Sequence, residues 1–286
     1  IEDIYKKLST FNMCVYAPFN YILDSKIDFY SELYDDKVND KATLKQKNRE
    51  NNLKILMRVN FLKRLESSVD SFRITLDNFA SNISNILEKI EDFEAGKESL
   101  IEDINSCELE NMEDETWLDE EFSIGKKVKI NLCDMNTIGW KEDLKEDLQT
   151  ALHILEDMKK VTPQHDTKLN VLKEQIKNKL ENPINQNNKK IIIFTAFAHT
   201  ANYLYEQLKD FNLSLQLQTA KITGSDINKS TLDINNEFNN LLCYFSPKSK
   251  NKTLKTNEKE LDILIATDCI SEGQNLQDCD FLINYD

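Results

Sequence analysis

From about residue 50 to residue 93, apolar side chains recur at steps of mostly three and four: Leu53, Leu56, Met57, Phe61, Leu65, Val69, Phe72, Leu76, Phe79, Ile83, Ile86, Leu87, Ile90 and Phe93. That is the period of one helix face, and no glycine or proline interrupts it before Gly96. The pattern is longer than an ordinary globular helix, so it predicts an arm or an antiparallel helical hairpin, with Ser67-Ser68 as the candidate break. Residues 141–160 repeat the spacing through Leu144, Leu148, Ala151, Leu152, Leu155 and Met158, which makes them the expected packing partner. A short strand is predicted at Lys127 to Leu132. The helical pattern stops at Val161-Thr162-Pro163, and Asp166 is placed to cap a new helix carrying Leu169, Leu172, Ile176 and Leu180. Asn182-Pro183 ends that helix, and the polar Asn185-Gln186-Asn187-Asn188 reads as a linker.

From residue 189 the pattern changes. Ile191-Ile192-Ile193-Phe194 is an apolar run too short for a helix and suited to a strand buried on both faces. A helix with Ala201, Leu204, Tyr205 and Leu208 follows, then a strand ending at Ile222-Thr223-Gly224 and a helix from about 228. After a polar, lysine-rich loop (Pro247 to Lys259), Leu261 to Ala266 forms another buried strand and Phe281 to Tyr285 a last one. Strands alternating with helices predict right-handed βαβ units and a parallel sheet. The expected architecture is therefore a helical module over 1–185 and an α/β lobe over 186–286.

Composition narrows the class. Five glycines and four prolines in 286 residues are too few for the many tight turns of an all-β sandwich. No apolar run approaches the 18 residues of a membrane span. The chain opens Ile-Glu-Asp-Ile without a signal peptide, so it reads as an excised piece of a cytoplasmic protein. Its six cysteines are scattered and no histidine lies near them at ligand spacing, which fits reduced thiols better than a zinc site.

The net charge of −14 argues against a nucleic-acid partner only until it is located. Residues 98–125 hold eleven acidic residues and no Lys or Arg, whereas 41–65 hold eight bases against the single acid Glu50. The acidic window can be a solvated insertion or a mimic of nucleic acid. The bases can be the water face of a long helix or a phosphate-binding patch. The loop with Lys248, Lys250, Lys252, Lys255 and Lys259 is likewise open to a spacer or a phosphate-contact reading.

Ligands of open α/β sheets sit at the carboxyl ends of the strands. Three strand ends here finish in a small hydroxyl residue: Ile193-Phe194-Thr195, Lys221-Ile222-Thr223-Gly224 and Ile265-Ala266-Thr267-Asp268. Short hydroxyls and exposed N–H groups can bind phosphate oxygens, and glycine lets a backbone approach closely. Taken singly, each threonine is more often a strand cap; all three at corresponding positions of one sheet point further.

These residues carry a resemblance. Asp166-x-Lys168-Leu169 with its helix, then Lys189 to Phe197, Ile222-Thr223-Gly224, the string Ile265-Ala266-Thr267-Asp268-Cys269-Ile270-Ser271-Glu272-Gly273-Gln274-Asn275-Leu276-Gln277 and the closing Leu282-Ile283-Asn284-Tyr285-Asp286 resemble the second RecA-like lobe of superfamily 2 helicases and translocases, nearest the SWI/SNF-type group and its bacterial relatives. Leu62 to Ser68 is similar to a segment that precedes this lobe in those relatives. The resemblance implies a RecA-like sheet. It implies nucleic-acid contacts, DNA or RNA, at Thr195, Phe197, Thr223, Gly224, Thr267 and Asp268, and it implies that Glu272, Gly273 and Asn275 face a nucleotide cleft shared with a first RecA-like lobe. ATP and Mg²⁺ are the implied cofactors of the parent protein. No G-K-[ST] phosphate loop occurs and the string containing the arginine finger is not reached. This stretch alone is therefore expected to hold no catalytic residue, bind no cofactor tightly and be inactive. The competing readings are a non-catalytic helical interaction module with a degenerate lobe, or the motor of a restriction or phage-defence system.

Overall fold

The computed structural model describes residues 2–39, 42–96, 100–102, 129–256, 258–270 and 273–286. The acidic window lies outside the described residues except for Leu100 to Glu102, and so does Glu272. The chain divides into two compact units, one of residues 1–65 and 72–160, the other of residues 66–71 and 161–286.

In the first unit, α1 (Glu2–Thr10) and α2 (Asp24–Tyr34) precede a two-stranded antiparallel pair, β1 (Asp36–Asn39) with β2 (Ala42–Leu44). The long apolar pattern becomes α3 (Gln46–Ser67) and α4 (Val69–Glu94), parted at the Ser67-Ser68 break that the sequence predicts. The stripe is buried through Leu53, Met57 and Phe61 on α3 and Phe72, Leu76, Phe79, Ile83 and Ile90 on α4. The two helices meet in ring contacts, with Phe61 5.3 Å from Phe79 and 6.4 Å from Phe72 between centroids. The predicted strand near 127–132 is β4 (Lys129–Asn131), antiparallel to β3 (Leu100–Glu102).

The last helix of this unit is α5 (Thr137–Lys159), and its buried face departs from expectation. Its buried face runs through Trp140, Leu144, Asp147, Ala151, Ile154 and Met158, while Leu152 is exposed. Its close backbone neighbours are α1 and two short 3-10 turns, Cys14–Tyr16 and Pro18–Tyr21. Phe11, Met13, Cys14, Val15, Tyr16, Ala17 and Phe19 are all buried. This segment has no helical or strand period, so no pattern announces it. Its backbone is satisfied by side chains instead: Asp147 accepts the Asn12 N–H at 2.6 Å and the Cys14 N–H at 3.2 Å, and Glu50 accepts the Phe19 N–H at 2.9 Å. A buried carboxylate that gathers N–H groups in this way replaces the hydrogen bonds that regular structure would supply.

The second unit is the α/β lobe. Its elements are α6 (Thr167–Glu181), β5 (Ile191–Phe194), α7 (Ala198–Ser214), β6 (Thr219–Ile222), β7 (Lys229–Ser230), α8 (Phe238–Phe245), β8 (Ile263–Ala266) and β9 (Leu282–Asn284). The sheet order is β7-β6-β8-β5-β9, parallel except for the antiparallel edge strand β7. Strand residues alternate between two cores. Ile191, Ile193, Ile263 and Ile265 pack with Leu169, Leu172 and Ile176 of α6 and Ala201, Leu204 and Leu208 of α7. Ile192, Ala220, Ile222, Leu264 and Ala266 pack with Leu241, Leu242 and Phe245 of α8. Asp166 caps α6 as predicted, accepting the Leu169 N–H at 3.0 Å.

One expectation is revised. The helix expected from about 228 begins only at Phe238. Residues 229–230 instead pair with β6, held by the Thr231 N–H on Thr219 O and the Thr219 N–H on Thr231 Oγ1, both at 2.9 Å. Two paired residues are too few to show a period of two in sequence. The two compact units divide at 160/161. The reason is α6, whose whole apolar face belongs to the sheet's core.

Candidate nucleic-acid and nucleotide interface

The three threonines stand side by side. Phe194 and Ile222 both pair with Ala266, and the ladder continues one residue further: the Thr195 N–H reaches Ala266 O at 3.1 Å and the Thr267 N–H reaches Ile222 O at 3.3 Å. The Tyr285 N–H on Phe194 O, at 2.8 Å, extends the row to β9. The carboxyl edge of the lobe therefore runs Thr223, Thr267, Thr195, Tyr285.

The hydroxyls differ in what they hold. Thr195 donates to Asp286 Oδ2 at 2.6 Å, and the Ala196 N–H reaches the same oxygen at 2.7 Å. Thr223 closes a local turn, donating to Asp226 O at 3.3 Å and accepting the Asp226 N–H at 3.2 Å. Thr267 has the weakest partner, the Cys269 sulfur at 3.5 Å. Gly224 is exposed, and a Cβ added there meets only the Cys269 Cβ at 3.7 Å. The fold itself therefore leaves room for a side chain at that position. Asp268 is exposed at the start of a 3-10 turn, and Phe197 is buried at the N-cap of α7. Of the residues implied for a nucleotide cleft, Gly273 has φ +68° and open space at its Cβ position, Asn275 is exposed, and Glu272 lies outside the described residues.

Close to this edge the lobe gathers residues that are far apart in sequence. Lys168 on α6 donates to Glu66 O at 2.8 Å and Ser67 O at 3.1 Å, lies 3.5 Å from Asp286 Oδ1, and sits over the Tyr285 ring at 4.1 Å. Burial holds its ammonium below the ordinary lysine value, against the pull of Asp286. Ser67 and Ser68 bond the buried Thr200 hydroxyl of α7 at 2.6 and 3.1 Å. The Leu62–Ser68 stretch and the Asp166-x-Lys168 element, separate features of the sequence, thus meet at residues 66–68.

Lys221 is a residue that sequence reasoning passed over. It lies in the buried strand β6, its side chain is fully buried, and it pairs with Asp226 Oδ2 at 2.8 Å and with Asn202 Oδ1. The available signal was a lone lysine inside an apolar strand with an aspartate five residues on.

The basic stretch at 41–65 is partly consumed by the fold. Arg49 and Arg64 are buried, and Arg58 donates to Phe11 O at 2.6 Å, while Lys45 and Lys47 are exposed. In the lysine-rich loop, Lys250 bonds Gln274 at 2.7 Å and Lys252 lies 3.6 Å above the Tyr244 ring. A polar cavity of about 490 Å³, lined by Asn185 to Lys190, Lys248, Asp262 and Asp278 among others, opens at the amino end of the strands, opposite the threonine row. Among the described residues no group of three or more His, Cys, Asp or Glu can hold a metal ion, and no helix is long and apolar enough to cross a membrane.

Residues 167–286 match the helicase conserved C-terminal domain. The match covers α6 and the whole sheet. No curated protein matches the chain.

Proposed function

We propose that the second unit is the C-terminal RecA-like lobe of an ATP-driven nucleic-acid translocase or helicase of the SWI/SNF-type bacterial group. The observation that carries this reading is the in-register row of Thr223, Thr267 and Thr195 at the carboxyl ends of three adjacent strands, within the segment that matches the helicase domain. The row would follow the backbone of DNA or RNA. Thr267, whose hydroxyl meets only a weak sulfur acceptor among the described residues, and the exposed backbone at Gly224 would be the groups readiest to bind phosphate, with Thr223 beside them. Such contacts position a strand without reading bases, so binding would be sequence-tolerant and salt-sensitive, with a dissociation constant on the order of 10⁻⁴–10⁻⁶ M.

ATP and Mg²⁺ would be held chiefly by a first RecA-like lobe, since residues 1–286 contain no G-K-[ST] loop. The exposed Gly273 backbone and Asn275 amide, with Glu272, would complete the nucleotide site from this side. Together with Thr267 they belong to one stretch, so nucleotide state and strand contact would be coupled through it.

The test compares Thr223→Ala plus Thr267→Ala with Lys45→Glu plus Lys47→Glu in a fluorescence-anisotropy titration of a short labelled duplex. The threonine pair should weaken binding with circular dichroism unchanged. Wild-type affinity in the threonine pair, with loss in the lysine pair, would move the interface to the helical unit.

A further inference from the structure

Gly224, Ser225, Asp226 and Ile227 are exposed, Ile227 at 77 % of its surface. The Thr223–Asn228 loop that joins β6 to β7 therefore has no buried apolar anchor. What holds it is polar. Asp226 Oδ2 receives the Lys221 ammonium at 2.8 Å and the Asn202 amide at 2.6 Å, its Oδ1 receives the Ile227 N–H at 2.6 Å, and Lys221 also donates to Asn202 Oδ1, so the three side chains form a closed triangle. The Thr223 N–H on Asn228 Oδ1, at 3.3 Å, adds a second tie across the loop.

A fully buried ammonium is expensive, and an apolar residue of similar volume is often as stable or more so. At position 221, with no solvent access on a sheet strand, stability alone would favour such a residue. What the ammonium supplies that an apolar side chain cannot is a fixed point for the Asp226 carboxylate. The hydrogen bond from Lys221 holds the Asp226 carboxyl down to about 2, so Asp226 is a carboxylate at neutral pH.

We infer that Lys221 is a positioning residue: through Asp226 and Asn202 it holds the Thr223–Asn228 loop in the one conformation that presents Thr223 and Gly224 to a nucleic-acid backbone. It touches no ligand itself. The inference rests on the proposed function for its purpose, and on the geometry alone for the constraint it places on the loop.

Lys221→Met keeps the length and removes the charge. Hydrogen exchange is followed residue by residue in the full chain, beside anisotropy with the labelled duplex. The Asp226 and Ile227 amides should exchange about tenfold faster while the β6 and β8 amides keep their protection. Affinity should fall by about fivefold to tenfold, and Thr223→Ala should cost little more on top of it, because a released loop no longer presents the hydroxyl. Asp226→Asn, at the exposed end of the triangle, gives the same readouts if Lys221→Met does not fold. Unchanged loop exchange in both variants overturns the inference. A loosened loop with unchanged affinity also overturns it, and Thr223→Ala plus Thr267→Ala then locates the failure. If that pair still weakens binding, the fault lies with Lys221; if it does not, the interface reading itself has failed.

Discussion

Thr195 and Asp286 are 91 residues apart in sequence and share a 2.6 Å hydrogen bond, with the Ala196 N–H on the same carboxylate oxygen. Asp286 Oδ2 thus takes up both the hydroxyl and the next N–H at this strand end. It ties the end of β9 to β5, and it separates Thr195 from Thr267: Thr195 is committed inside the lobe, whereas the Thr267 hydroxyl meets the Cys269 sulfur at 3.5 Å.

Thr195→Val should therefore act on stability before binding. It removes a part-buried hydrogen bond to a carboxylate, worth about 1.5–3 kcal/mol. Urea unfolding should show the second unit weakened by that order, with duplex affinity close to wild type. A variant as stable as wild type that binds several-fold more weakly would mean that Thr195 meets the ligand directly.

Gly224→Ala separates fold from function in the opposite sense. The added Cβ finds 3.7 Å of space, ordinary van der Waals contact, so the melting temperature should stay near wild type. A phosphate approaching the backbone would meet the new methyl, and duplex affinity should drop severalfold. Equal affinity would show that no ligand comes close at this position. Gly273 is unlike it: with φ +68°, any β-branched replacement there is strained before a ligand is considered.

Asp147 supports the irregular segment at Phe11–Tyr21. Asp147→Ala leaves the Asn12 and Cys14 N–H groups without their acceptor, at about 1–3 kcal/mol for the buried Cys14 donor and less for the half-buried Asn12. Asp147→Asn keeps an acceptor oxygen and should cost less. Thermal unfolding of the first unit, read through Trp140 fluorescence, checks the order wild type, Asn, Ala.

Acid should loosen the Thr223–Asn228 loop within a defined window. The Asp226 carboxyl is lowered from its ordinary 3.8 to about 2, first by the Lys221 hydrogen bond. Its contribution is complete above pH 3.8 and is lost as the pH falls through about 2. Exchange at the Ile227 amide should accelerate across that interval in wild type beyond its intrinsic pH dependence. Asp226→Asn should lack the excess. An excess of equal size in both proteins would show that another group controls the loop.

The sequence by itself determined the core strands of the sheet, the long helices and the place of the threonines at the strand ends. Ile191-Ile192-Ile193 and Ile263-Leu264-Ile265-Ala266 are buried on both faces, and such strands are spelled out as unbroken apolar runs. The α3 and α4 stripe and its break at Ser67-Ser68 are local for the same reason: side-chain period reports which face is buried. The threonines were legible because each directly follows an apolar run. Period does not report what an element is buried against. Only the tertiary structure decided that α5 turns its Asp147 face to a segment with no period, that β7 closes the edge where a helix was expected, and that Lys168 and Thr200 receive residues 66–68. Only it gave Lys221 a role, because a charge inside an apolar strand is intelligible once its partners are known, and Asn202 and Asp226 reach it from a separate helix and from the loop beyond its own strand. Hydrogen bonds of that kind depend on register and distance in three dimensions, which no local pattern of residues records.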